Sequence, residues 1–167
     1  GTVPGLIARW SADGSRYVFA SVKDDHIYLV RARSRAPIRL TSQGHNADPV
    51  FSPDGRSVYF ASDRSGRWQL WRMNVDGTSP EQLTRDDADS AHPYPSPDGK
   101  SLVFLTFDGR SHNRAPLRDA RLRLFSLADG KTDELAKLLG GDSSLAAYPW
   151  SPDGEYLAFV SYQMAAH

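Results

Sequence analysis

Short apolar segments recur along the chain, and each of them follows a polar turn. The clearest occupy residues 17–20, 58–61, 102–105 and 156–159. Apolar runs of this length, rich in Val, Tyr and Phe and bounded by turn residues, are typical of β-strands. Further strand-like segments follow at 27–31, 69–73 and 122–126, and outer ones at 38–41 and 81–84. The pattern therefore predicts an all-β chain.

The turn before each strand has nearly the same sequence four times. It reads WSADG at 10–14, FSPDG at 51–55, PSPDG at 95–99 and WSPDG at 150–154. Proline presets φ, aspartate caps neighbouring backbone groups, and glycine accepts a positive φ. The predicted structural turn residues are Asp13, Gly14, Asp54, Gly55, Asp98, Gly99, Asp153 and Gly154.

The spacing of the turns indicates a repeat architecture. The serines at 11, 52, 96 and 151 are 41, 44 and 55 residues apart, and one propeller blade takes about 40–45 residues. The third interval carries an insertion. We predict a β-propeller segment of about three and a half four-stranded antiparallel blades, with units at about 6–41, 46–84, 91–138 and 146–162. These form one partial propeller over 1–163, and 164–167 is a tail. A β-sandwich is the alternative, but it requires no repeat.

Two other features bear on the blades. The segment 133–139 has the composition of a helix that ends at Gly140 and Gly141. Tryptophans stand at repeat positions of the blades. We therefore expect packing between or along blades for Trp10, Trp68, Trp71 and Trp150.

The repeats resemble those of the TolB-like propeller family, a Pro-Asp relative of the WD repeat. The resemblance runs from Ile7 to Gln163 and is closest over 92–100, 135–141 and 150–162. It implies a bacterial envelope setting, with the periplasm as the compartment. TolB itself meets a peptidoglycan-associated lipoprotein, but the subgroup of this chain differs, so the sequence alone does not assign it that partner. The last unit stops after two strands, so we expect either a fragment of a longer propeller or association of copies through open blade edges.

Composition excludes several classes of function. Lysine plus arginine equals aspartate plus glutamate at 20 each, which argues against a nucleic-acid partner held by its phosphates. The chain has no cysteine, so thiolate metal sites and cysteine nucleophiles are excluded. It shows neither a signal-peptide pattern nor about 20 successive apolar residues, so no membrane insertion is expected.

Candidate binding residues lie in the loops that lead into the inner strands, at the mouth of the predicted channel. They are His45, Asn46, Asp48, Asp89 and His92. Loops on a rigid scaffold commonly carry binding residues. The basic insertion 108–119 adds Arg110, Arg114 and Arg118, which suit carboxylates. The alternative is that these loops are solvated turns and that the insertion is merely flexible.

A metal site is the second possibility. We place His45 and His92 at matched positions before two neighbouring inner strands, from which they could converge on a metal ion. The alternative is that each histidine hydrogen-bonds a neighbouring blade. The acidic loop with Asp86, Asp87 and Asp89 offers oxygen ligands but lacks the glycine and glutamate of an EF-hand.

Neither a nucleophile elbow nor a phosphate loop occurs in the sequence. We therefore predict a non-enzymatic scaffold that binds a protein or small ligand at the channel mouth and requires no cofactor. The alternative is a metal-assisted carbohydrate lyase or hydrolase that uses His45 and His92, and a third possibility is a sensor or accessory propeller of a larger chain.

Overall fold

Three four-stranded antiparallel sheets make up the computed structural model, which describes residues 5–34, 36–108, 118–141, 144–145 and 148–162. Blade 1 contains β1 (Gly5–Trp10), β2 (Arg16–Ser21), β3 (Ile27–Arg31) and β4 (Pro37–Arg39). Blade 2 contains β5 (Asn46–Phe51), β6 (Ser57–Ser62), β7 (Gln69–Asn74) and β8 (Glu81–Gln82). Blade 3 contains β9 (Asp89–Pro95), β10 (Ser101–Phe107), β11 (Arg118–Ser126) and β12 (Thr132–Gly140). The described residues include no helix that could cross a membrane.

Each blade is a meander in which consecutive strands pair, from the inner strand (β1, β5 or β9) outward. This is the predicted partial propeller, and the all-β prediction is confirmed. The inner strands of neighbouring blades contact one another, β1 with β5 and β5 with β9, so they line the channel side.

The repeated turn has one hydrogen-bond pattern in all four units. In blade 2 the Ser52 hydroxyl donates to Asp54 Oδ1 at 2.6 Å, and the backbone N–H of Ser57 donates to Ser52 Oγ at 2.9 Å. Gly55 closes the turn with a φ of 69° and donates its N–H to the Ser52 carbonyl. A positive φ is readily adopted by glycine, which explains the residue type at this position.

Alternation along the strands gives every blade two apolar faces. Val18 and Leu29 of blade 1 pack with Val58 and Phe60 of blade 2. The opposite face of blade 2 packs against blade 3 through a second cluster, and blade 3 buries a third cluster with Trp150 and Leu157. Trp68, Trp71 and Trp150 each pack against one of these clusters, as expected, whereas Trp10 is exposed and makes a tilted ring contact with Tyr17 of its own blade.

The predicted helix at 133–139 is wrong, because these residues form part of strand β12. The hairpin turn at Asp129 and Gly130 brings the segment alongside β11, and the two strands pair from Thr132 to Gly140. Ladder hydrogen bonds and burial of Leu138 outweigh the weak local helix preference of the segment.

The last unit is less regular than predicted. Its turn is present, but within the described part of this unit the pairing across the turn is a single bridge between Trp150 and Leu157. The backbone N–H of Val160 donates to the Ser144 carbonyl, and that of Tyr162 donates to Leu139 of β12. These bonds hold the segment against blade 3 without a strand ladder.

Candidate binding site on the channel wall

The mouth of the channel is the end at which the inner strands begin, opposite the repeated turns. Backbone hydrogen bonds join the blades there. The N–H of Asn46 donates to the Asp25 carbonyl, and that of Ser90 donates to the Trp68 carbonyl, both at 2.9 Å. The mouth is therefore a rigid junction, on which side chains are held in fixed positions.

The pairing register shifts over the equivalent segment of all three inner strands, and in two of them the residue there has a positive φ. Asp48 and His92 each lie four residues before the serine of the turn, at the points where the pairing register of β5 and β9 shifts. Their φ angles are 52° and 56°, in the left-handed region that few residues other than glycine adopt. A bulge of this kind redirects a side chain, and such backbone often accompanies functional sites.

The two redirected side chains meet across the blade boundary. The backbone N–H of His92 donates to Asp48 Oδ2 at 3.2 Å, and His92 Nδ1 lies 3.1 Å from the same oxygen. The His92 side chain is 14% exposed and that of Asp48 is 31% exposed. The pair is thus partly desolvated but still within reach of a ligand in the channel.

A third blade contributes to the same wall. Arg9 of β1 donates from Nη2 to the Tyr94 hydroxyl of β9 at 2.6 Å, with its guanidinium 5.3 Å from the ring centroid. Burial raises the pKa of Tyr94, an effect that Arg9 opposes and Asp48 reinforces. We call Arg9, Asp48, His92 and Tyr94 together the channel wall.

His45 does not belong to this wall, and the prediction that it matches His92 is wrong. It precedes β5, whereas His92 lies inside β9. By count from the turn serine, the counterpart of His45 is Asp89 and that of His92 is Asp48. His45 instead pairs with Asp63 of its own blade, and the distance from His45 Nδ1 to Asp63 Oδ2 is 2.7 Å. This hydrogen bond raises the pKa of His45, whose side chain is 65% exposed.

Asn46 is buried in the junction between blades 1 and 2. Its amide nitrogen donates to the carbonyls of Asp25, Gln43 and Gly44, and its oxygen accepts from Arg64 Nη2 at 2.8 Å. The Arg64 guanidinium lies over the Phe60 and Trp71 rings, 5.1 and 4.9 Å from their centroids. The structure thus places Asn46 in the framework that supports the mouth.

Asp89 is likewise buried, with Oδ1 3.6 Å from Arg67 Nη1. In the neighbouring loop Asp86 pairs with Arg123 at 2.8 Å, so these acids tie blade 2 to blade 3. No cluster of three or more potential metal ligands is found among the described residues.

The two basic residues predicted in the insertion, Arg110 and Arg114, lie outside the described residues. Arg118 follows at the start of β11, where its guanidinium lies 3.4 Å from the Phe107 ring centroid.

Sequence reasoning missed Arg9 and Tyr94. A signal was present, since both stand two residues before the serine of their own turn. Aligning the repeats by the turn would have placed them at the same level of the inner strands.

Comparison with known proteins identifies the family of this chain. The TolB β-propeller domain model matches residues 6–138. The chain belongs to the TolB-like propeller family. It is 36% identical over 163 residues to the uncharacterized protein Atu1656 of Agrobacterium fabrum, covering 96% of this chain and 56% of that protein.

Two proteins described as TolB are also similar to this TolB-like chain. The Tol-Pal system protein TolB of Francisella tularensis is 29% identical, with 90% of this chain and 34% of that protein covered. The solved structure of a putative TolB from Agrobacterium tumefaciens superposes with a TM-score of 0.87 at 35% identity, covering 96% of this chain and 60% of that one. The chain therefore spans about a third to three fifths of the length of these relatives.

Proposed function

We propose that this TolB-like chain is a non-enzymatic scaffold that binds a protein partner at the channel mouth, in the envelope of a bacterium. The observation that carries the proposal is the Asp48–His92 pair, formed by two bulged residues of neighbouring blades. In blades 2 and 3 this position holds a polar side chain at the channel in a sterically uncommon backbone conformation.

The chemistry of the wall suits a polar partner segment. Arg9 supplies a cation, Asp48 an anion, and Tyr94 and His92 supply groups that both donate and accept hydrogen bonds. Because three blades hold these groups in place, a partner would meet them already ordered, which lowers the entropic cost of binding.

A metal-assisted carbohydrate lyase or hydrolase is the second candidate. It rests on His92, whose Nδ1 is held beside Asp48 in the channel wall, because His45 lies outside that wall. A histidine that ligates a metal through Nε2 commonly has its other ring nitrogen held in this way. Titration with Mn²⁺, followed by calorimetry, tests this candidate. Heat that disappears in His92→Gln and persists in His45→Gln would favour it over the scaffold.

The partner proposal is tested with the soluble domain of the Pal protein of the Tol-Pal system, since a relative of this chain carries that system's name. Affinity is measured by calorimetry for the native chain and for Asp48→Asn. This variant keeps the size of the side chain and tolerates the left-handed backbone. We expect binding by the native chain and a loss of about tenfold or more in Asp48→Asn, equivalent to about 1.4 kcal/mol.

Asp129→Asn is the matched control, because it removes the same charge from the β11–β12 hairpin turn, away from the channel mouth. Its affinity is expected to equal that of the native chain. Absence of binding by the native chain would reject this class of partner. Equal losses in both variants would reject the channel wall as the binding surface.

A further inference from the structure

Blades 2 and 3 each carry a polar pair at the same place, near the channel mouth. Asn46 lies opposite Ser62 in the pairing of β5 with β6, and Ser90 lies opposite Thr106 in the pairing of β9 with β10. The two pairs stand at the same distances along the chain from the serine of their own turn. All four residues are buried, so the repeat allows a direct comparison of how their polar atoms are satisfied.

In blade 2 a guanidinium bridges the pair. Arg64 donates from Nε to Ser62 Oγ at 3.0 Å and from Nη2 to Asn46 Oδ1 at 2.8 Å. The Asn46 amide nitrogen donates to backbone carbonyls of the mouth. Both members of this pair are therefore hydrogen-bonded.

The pair in blade 3 has no such bridge. Ser90 is 0% exposed and Thr106 is 1% exposed, and neither hydroxyl oxygen has a hydrogen-bond partner in the part of the chain that the structure describes. The repeat position of Arg64 is occupied by Asp108. Its side chain is 61% exposed and pairs with Arg121 at 2.9 Å, so it does not serve the buried hydroxyls.

The adjoining amide of blade 2 is already used. Gln69 follows Trp68, whose carbonyl accepts from the Ser90 N–H. Gln69 Nε2 donates to the carbonyls of Asp86 and Ala88, both at 3.0 Å. Both N–H groups of this amide are thereby occupied and cannot donate to the Ser90 or Thr106 hydroxyl.

Two buried hydroxyls without partners would be costly, and such groups in folded proteins are nearly always hydrogen-bonded to protein or to ordered water. Side chains directly opposite each other in an antiparallel pair have Cβ atoms about 5 Å apart, a separation that one water molecule can span with two hydrogen bonds. Two neutral hydroxyls are too few ligands for a hard cation such as Ca²⁺. Water is therefore the ligand that suits the pair.

We propose that one water molecule is bound between the Ser90 and Thr106 hydroxyls, where it replaces the bridge that Arg64 makes in blade 2. Buried waters of this kind make two to four hydrogen bonds to polar groups and belong to the structure. Ser90 lies two residues before His92 in β9, so the bound water is part of the framework that supports the channel wall. This inference is independent of the proposed channel-mouth partner.

A crystal structure of the native chain at about 1.5 Å resolution or better is the first test. We expect electron density for a water oxygen about 2.6–3.2 Å from both Ser90 Oγ and Thr106 Oγ1. A direct hydrogen bond between the two hydroxyls, or a site without water density, would overturn the proposal. Because this experiment uses the native chain, it does not depend on the folding of any variant.

The sign of a stability change gives a second test. Thr106→Val keeps the shape of the side chain but removes its hydroxyl. If water bridges the pair, the urea midpoint is expected to fall by about 0.5 M, because a water-mediated hydrogen bond is lost. If the hydroxyl is instead buried without a partner, its removal relieves an unsatisfied group, and the midpoint would stay the same or rise. That result would overturn the proposal.

Thr132→Val is the matched control, because Thr132 is only partly buried, in the outer strand β12. Its urea midpoint is expected to equal that of the native chain. A fall equal to that in Thr106→Val would show a general cost of the Thr→Val change and would overturn the assignment to the pair. Ser90→Ala combined with Thr106→Val is expected to lower the midpoint by less than the sum of the single changes, because both hydroxyls bind the same water. Additive losses would contradict a shared water.

Discussion

The turn side and the mouth side of the blades are built from the same repeat, but their side-chain contacts repeat with different regularity. On the turn side the Ser–Asp–Gly bonding pattern is the same in all four units. Successive turns also touch, since a Cβ at Gly154 would lie 3.4 Å from Pro97. The first turn has Ala12 in place of proline, and there Arg16 contacts the next turn by donating to the Gly55 carbonyl.

On the mouth side several equivalent positions hold different residues. The backbone N–H groups of Asn46 and of its counterpart Ser90 both join neighbouring blades, but Asn46 adds side-chain hydrogen bonds that the Ser90 hydroxyl does not make. The bulge position holds Asp48 in one blade and His92 in the next. This contrast is consistent with our proposal that the turns maintain the fold and that the mouth carries the binding surface.

The largest effect is expected from Asn46, a mouth residue with a framework role. Asn46→Ala would remove the buried amide that donates to three carbonyls and accepts from Arg64, so we expect a loss of about 3 kcal/mol in the free energy of unfolding. Urea denaturation measures it, with the exposed Gln43→Ala as the control. A change below about 0.5 kcal/mol would show that Asn46 does not support the junction.

On the turn side, Ser52→Ala is expected to lower the free energy of unfolding. The variant removes the hydroxyl of the buried Ser52, which donates to Asp54 and accepts from the Ser57 N–H. We expect a loss of about 1–2 kcal/mol in unfolding free energy. The exposed Ser65→Ala, in the loop between β6 and β7, serves as the control, and equal stability of the two variants would contradict the turn account.

Acid should weaken all four turns together. Hydrogen bonds from the turn serines lower the pKa of Asp13 to about 2 and lower those of Asp54, Asp98 and Asp153. Because the folded pKa lies below the unfolded value, this stabilisation is present above about pH 4 and is lost as the pH falls toward 2. Denaturation at pH 6, 4 and 2.5 measures it, and a flat profile over this range would contradict the prediction.

The smallest effect concerns His45. Asp63 raises the pKa of His45, so the pair contributes stability below the unfolded value near 6.5 and loses it as the pH rises through the folded value. Histidine titration by NMR is expected to show a raised pKa that returns toward the ordinary value in Asp63→Asn. An unchanged pKa in the variant would mean that the contact is not formed in solution.

Much of the fold could be predicted because its determinants are local. The turn needs only five consecutive residues, and its spacing alone indicates the blade length. The strand at 132–140 could not be predicted in the same way, because Leu138 and its neighbours prefer a helix weakly and are held as a strand by pairing with β11.

The channel wall depends on residues that are far apart in the chain. Arg9 and Tyr94 are 85 residues apart, and their contact follows from the curvature of three blades. The bulges that orient Asp48 and His92 also could not be predicted from the pattern of apolar residues, because a bulge shifts the alternation by only one residue. Residue types at the mouth could be proposed from the sequence, but not which of them meet.

The most direct test of the difference between the two sides measures stability and Pal affinity together for Asp48→Asn and Ser52→Ala. The account predicts that Asp48→Asn lowers affinity by about tenfold or more while unfolding free energy changes by less than about 1 kcal/mol. It predicts the reverse for Ser52→Ala, with lower stability and native affinity. Parallel losses of stability and affinity in both variants would contradict the assignment of fold to the turns and of binding to the channel wall.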